Sequence, residues 1–157
     1  MSTLRFRNLD VSPEDPVQTW PFEGVLAAIE RGTLPDWQRL AAAIDADPWG
    51  PVARQVEEAL AISRPYGAAP LMETVIETAR ASAAESEREA VASEIRSLVC
   101  ASGLSQQAFA TRAGTSASRL STYLSGRVAP SAPLLFRMRQ VALRAADAPA
   151  ALRTPPR

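Results

Sequence analysis

The sequence predicts an all-α fold in two parts, a small N-terminal helical module joined to a second helical domain. Three observations lead there. Of 157 residues, 46% are apolar but only 6% aromatic. Alanine is the commonest residue, and that balance favours helices over sheets. Apolar residues recur at helical spacing in several separate windows. Charge is divided as well: residues 1–80 carry 7 Arg against 12 acids, and residues 81–157 carry 10 Arg against 5.

The formal charge of zero therefore conceals an acidic half and a basic half. The stretch 101–157 has eight Arg against Asp147 alone, a balance of +7. Such asymmetry suggests a polyanionic partner for the C-terminal half. An Arg-rich, Lys-free set also arises from GC-rich coding, so charge alone does not name that partner. The absences exclude more. With no His, there is no Ser-His-Asp triad and no imidazole ligand. A single cysteine, Cys100, excludes an intramolecular disulfide framework and a multi-thiolate zinc site. Cys100 lies near the end of an apolar stripe and is expected to be a buried structural thiol. No apolar run reaches 18 residues, and the start of the chain has no signal-peptide core. A cytoplasmic protein without membrane or cofactor is expected.

Residues 1–19 lack periodicity and contain Pro13 and Pro16; they are expected to be an arm. Residues 20–64 form the acidic module. Phe22, Val25, Leu26 and Ile29 recur at helical spacing, and Gly32 stops the run. Thr33 can cap a second helix, with Pro35 in its first turn and Asp36 at the capping-box position. Trp37, Leu40, Ala41 and Ile44 make its stripe. Asp47-Pro48-Trp49-Gly50-Pro51 is a break. A third helix follows, with Val52, Val56, Ala59 and Leu60 on one face, ending before Pro65-Tyr66-Gly67. Trp20, Trp37 and Trp49 are the expected anchors. The acids Glu23, Glu30, Asp36, Asp45, Asp47, Glu57 and Glu58 show no catalytic or calcium-loop spacing and are expected on solvated faces. The module is a candidate for dimerisation or for binding a protein partner.

Residues 65–87 are expected to form a partly helical linker. Met72, Val75, Ile76 and Ala79 make one stripe; Val91, Ile95, Leu98 and Val99 make another. The polar, small-residue stretch between them is either a connecting helix or a hinge.

The strongest pattern runs from Leu104 to Arg127, within a domain spanning 88–146. Gly103 ends the preceding helix. Ser105 can cap a helix over 106–113, Gly114 permits the positive φ of a tight turn, and Ser116 can cap a second helix over 117–124. Ser125-Gly126 ends it. Two helices under ten residues, joined by a turn that begins with Gly, match a helix-turn-helix. Phe109, Ala113, Leu120 and Tyr123 fall at inward spacings, and Ala110 is small where two helices cross. Leu134, Leu135, Met138, Val141 and Ala142 stripe a further helix, capped by Ser131. The tail 147–157 is expected to be disordered.

This segment resembles the Cro/C1-type (Xre) helix-turn-helix family of phage-repressor-like regulators over about 90–145. The telling pieces are Leu104-Ser105-Gln106-Gln107, Ala110, Ala113-Gly114, Ser116, Leu120-Ser121 and Tyr123-Leu124-Ser125-Gly126-Arg127, followed by Pro130-Ser131. The resemblance implies a lambda-repressor-like domain whose helix 117–124 enters the major groove. Ala117, Ser118 and Thr122 would then meet base edges, with Arg119 and Ser121 beside them. Gln106, Gln107, Arg112, Ser125 and Arg127 would hold phosphates. Arg137 and Arg139 would add longer-range attraction. Only one long reader, Arg119, stands among short side chains, which implies modest discrimination per site. The function implied is a double-stranded DNA-binding transcriptional regulator, a repressor acting as a homodimer in the cytoplasm at the nucleoid. Two alternatives stand beside it. One is the antitoxin of a toxin–antitoxin pair that represses its own operon. The other is a protein-interaction module that no longer binds DNA. No convergent catalytic set points to an enzyme.

Overall fold

The computed structural model describes residues 4–148, which are helical apart from turns and an N-terminal segment. The order is a short 3-10 turn at Val17–Thr19, then α1 (Phe22–Arg31), α2 (Leu34–Ala46), α3 (Pro51–Ile62), α4 (Ala68–Ser102), α5 (Gln106–Ala113), α6 (Ala117–Leu124) and α7 (Ala132–Asp147). The chain divides into two compact units, one up to Ala84 and one from Glu85. The expected disordered tail begins at the last residues described; 149–157 lie outside them.

In the first unit, α1 and α2 both pack on α3. The interior is built from Val25, Ile29, Leu40, Ile44, Val56, Leu60, Met72 and Ile76. These are the apolar stripes of four helices turned inward, each large side chain contributing about 1.5–3 kcal/mol by leaving water. The start of α2 follows its sequence signature. The Asp36 carboxylate accepts from the Thr33 backbone N–H at 2.9 Å and from its hydroxyl at 3.0 Å. Asp36 is only 1% exposed, so it departs from the solvated acids among which the sequence placed it. Capping makes that burial tolerable, because the carboxylate is hydrogen-bonded.

Three other expectations change. The N-terminal arm is built into the unit, with Leu4 and Val17 in its core and Phe6 and Val11 against it. Arg39 fastens the arm: its guanidinium donates to the carbonyls of Pro13 and Asp15 and lies 4.9 Å over the Trp20 ring. Trp20 is buried, and the Trp37 indole N–H donates to the Ala28 carbonyl at 2.9 Å. Trp49 is 48% exposed; it sits in the turn between α2 and α3 and anchors nothing by size alone. The stretch expected as a partly helical linker lies largely inside one 35-residue helix, α4. Residues 81–90 hold four Ala, three Glu and one Arg, all good helix formers, so the helix persists where its apolar stripe lapses.

In the second unit, Ile95 from α4 meets Phe109 and Ala113 from α5, Leu120 and Tyr123 from α6, and Leu134, Met138 and Val141 from α7. Phe109, Ala110, Ala113, Leu120 and Met138 are fully buried. Cys100 is exposed, against the expectation of a buried thiol. It falls off the α4 face that Ile95 and Ser102 turn inward.

Candidate nucleic-acid interface

Two short helices and the turn between them are set by local chemistry. The Ser105 hydroxyl accepts from the Ala108 N–H at 3.2 Å and so caps α5. At the other end Gly114 has φ +78°. Its N–H reaches the Thr111 carbonyl at 3.2 Å while the Thr115 N–H reaches Ala110 at 3.0 Å. This nested pair is a Schellman ending, which places its glycine in the left-handed region. Two residues later the Ser116 hydroxyl accepts from the Arg119 N–H at 3.1 Å and starts α6. Ser131 does the same for α7 through Leu134 at 3.4 Å.

Burial of Leu120 and Tyr123 settles which way α6 faces. Ser118, Arg119 and Ser121 are exposed; Ala117 and Thr122 are half-buried at the edges of the same surface. The Thr122 hydroxyl donates to the Arg119 carbonyl at 2.7 Å and that of Ser125 to Thr122 at 3.0 Å, leaving lone pairs on each as acceptors. Gln106 and Gln107 are exposed in the first turn of α5, Arg112 in its last turn, and Ser125 and Arg127 beyond the end of α6. All ten residues are at the surface, gathered on α5, α6 and the loop after α6.

Between Glu94 and Asp147 the sequence has seven Arg and no acid. Three of these arginines are occupied. Arg137 donates to the Ala113 carbonyl at 3.0 Å and so closes the end of α5. Arg139 pairs with Glu94 through contacts of 2.6 and 3.2 Å. That hydrogen-bonded pairing holds the Glu94 carboxyl below the usual carboxylate range and raises Arg139, outweighing desolvation. Arg96 donates to the Leu124 carbonyl at 2.7 Å and pairs with Glu89. Arg139, expected as a source of attraction for a polyanion, thus has its charge compensated. The guanidinium groups of Arg112, Arg119 and Arg127 make no hydrogen bond or ion pair among the described residues. Sequence reasoning missed Glu89 and Arg96; their seven-residue spacing, two turns on one helix face, was the available signal.

A family model described as a helix-turn-helix domain matches residues 78–153. The chain carries a helix-turn-helix domain. No curated protein and no solved structure matches it. Within the helix-turn-helix domain, α5 and α6 are the two helices of the motif, with Gly114 opening its turn. Among the described residues no group of three or more Cys, Asp or Glu could hold a metal ion, and no helix is long and apolar enough to cross a membrane.

Proposed function

We propose that this protein is a sequence-specific, double-stranded DNA-binding transcriptional regulator of the Cro/C1 kind, a non-catalytic repressor that acts as a homodimer at the nucleoid. The observation that carries the reading is the unpaired arginine face: Arg112, Arg119 and Arg127 stand free on and around α6, in a stretch without a single acid. In this reading α6 lies in the major groove. Arg119 takes guanine O6 and N7, Ser118, Ser121 and Thr122 serve as permissive partners, and Ala117 meets a thymine methyl. Gln106, Gln107, Arg112, Ser125 and Arg127 grip the backbone on either side.

A homodimer follows from scale. One eight-residue recognition helix covers too few base pairs for tight selection, and a two-fold pair reads two half-sites one helical turn apart. Phe136 and Leu143, seven residues apart on α7, are 59% and 58% exposed and offer an apolar stripe for that pairing.

The test is genome-wide footprinting of the protein on its own DNA, followed by fluorescence-anisotropy titration on the sites found. Arg119→Ala should cost about 1–3 kcal/mol on a cognate site and relax the preference at one base pair. Arg127→Ala should weaken binding on all sequences alike and lower the salt slope by about one. A wild type that binds no duplex, or binding indifferent to both substitutions, would sink the reading.

A further inference from the structure

The end of α6 is held from outside the motif. The last carbonyls of a helix lack intrahelical partners and carry partial negative charge. At Leu124 that carbonyl is taken by the Arg96 guanidinium of α4 at 2.7 Å, across 28 residues of sequence. The same guanidinium binds the Glu89 carboxylate at 2.5 Å through its other nitrogen. Glu89 lies against Gly126: a Cβ built there would stand 3.1 Å from its Oε2 and 3.7 Å from the Ala92 Cβ. Gly126 has φ +72°, which a side chain disfavours in any case. Arg127 follows directly. Glu89 and Arg96 are 62% and 46% exposed, and an ion pair so open to water adds little to stability. What it adds is direction: a fixed length of side chain between α4, the end of α6 and the loop that bears Arg127.

We propose that Glu89 and Arg96 are positioning residues for nucleic-acid binding, a strap from α4 that sets the end of α6 and hence the stance of Arg127 against the DNA backbone. The proposal rests on the DNA reading above. It extends the interface to two residues that touch neither base nor phosphate in that role. Its signature is a sign. Removing the negative charge of Glu89 should strengthen attraction to a polyanion if charge alone matters. It should weaken binding if the carboxylate holds Arg96 in place.

The experiment compares full-length wild type with Glu89→Gln and Arg96→Lys, each alone and combined with Arg127→Ala, by anisotropy on one footprinted duplex. Melting temperatures measured in parallel should stay close to wild type. The expected result is a loss of affinity of about five- to tenfold for Glu89→Gln and for Arg96→Lys. Most of that loss should vanish in the Arg127→Ala background, because residues acting through one contact are not additive. Amide exchange at 124–128 without DNA should quicken in both variants. Glu89→Gln binding as tightly as wild type or tighter overturns the strap, as do fully additive losses or unchanged exchange. A wild type that binds no duplex overturns the DNA reading and the strap's role together, whereas a binding wild type with indifferent variants overturns the strap alone.

Discussion

Replacing Phe109 by Ala tests whether the two units keep separate cores. Phe109 is fully buried at the centre of the second one, against α4, α6 and α7. Phe→Ala in a packed interior costs about 3–5 kcal/mol, part lost transfer energy and part cavity. At roughly 0.05–0.15 kcal/mol per residue, the described part of this unit, 85–148, holds about 3–10 kcal/mol. The substitution should therefore remove about a third of its stability or more. For a domain of this size the melting temperature should fall by roughly 15–30 °C. The chain supplies its own selective probe. Trp20, Trp37 and Trp49 all lie in the first unit, so indole fluorescence reports that unit, while helical circular dichroism reports both. In Phe109→Ala, dichroism should show an early transition and lost DNA binding, with the fluorescence midpoint in urea unmoved. A fluorescence midpoint displaced as far as the dichroism midpoint would refute the reasoning, because α4 would then be coupling the units into one cooperative whole.

Three further outcomes follow from single contacts. Gly114→Ala should destabilise the second unit by about 1–2 kcal/mol from its left-handed φ alone, since the nearest atom to an added Cβ is the Arg137 side chain at 3.8 Å; Gly114→Asn should cost visibly less in the same thermal melt. Acid should loosen both units: Arg80 hydrogen-bonds Glu57 and Arg139 hydrogen-bonds Glu94, which depresses both carboxyl pKa values. Their stabilisation is present at neutral pH and lost as pH falls through the depressed values, so Glu57→Gln should flatten the acid limb of a stability-against-pH curve for the first unit. The loss should be small, because both pairs are open to solvent. Phe136→Glu should convert the proposed homodimer to a monomer in light scattering at equal concentration, and an unchanged mass would remove α7 from the proposed interface.

The parts legible in the sequence were those with local chemistry. Ser105, Ser116 and Ser131 cap their helices as their positions suggested, and Gly114 takes the positive φ its place demanded. The ends of α5 and α6 follow from those residues. The continuity of α4 was half legible, because the stretch between its two stripes read equally as a connecting helix or a hinge. Met72, Ile76 and Ala79 enter one core and Ile95 another, and between Ala79 and Val91 no apolar stripe continues in phase. That lapse is what left a hinge open beside a connecting helix, although nothing in the intervening residues stops a helix. The N-terminal arm was illegible for another reason. Its order comes from Arg39 reaching back 24 to 26 residues to backbone carbonyls, and no local spacing announces such a contact.

The same distinction governs the arginines of the basic half. Composition counts them as equals, but geometry does not. Arg96, Arg137 and Arg139 spend their donors on Leu124, Ala113 and Glu94, each tying one helix of the domain to another. The remaining arginines on α5, α6 and the following loop, Arg112, Arg119 and Arg127, have no such duty among the described residues. A solvated surface would scatter free charge without regard to the motif. Here three free guanidiniums, those of Arg112, Arg119 and Arg127, gather on α5, α6 and the loop after it, while Arg88 and Arg144 stand free on α4 and α7. That grouping adds a position to the balance of +7 over 101–157. It also separates substitutions that should change affinity through contact from those that should change it through the position of α6.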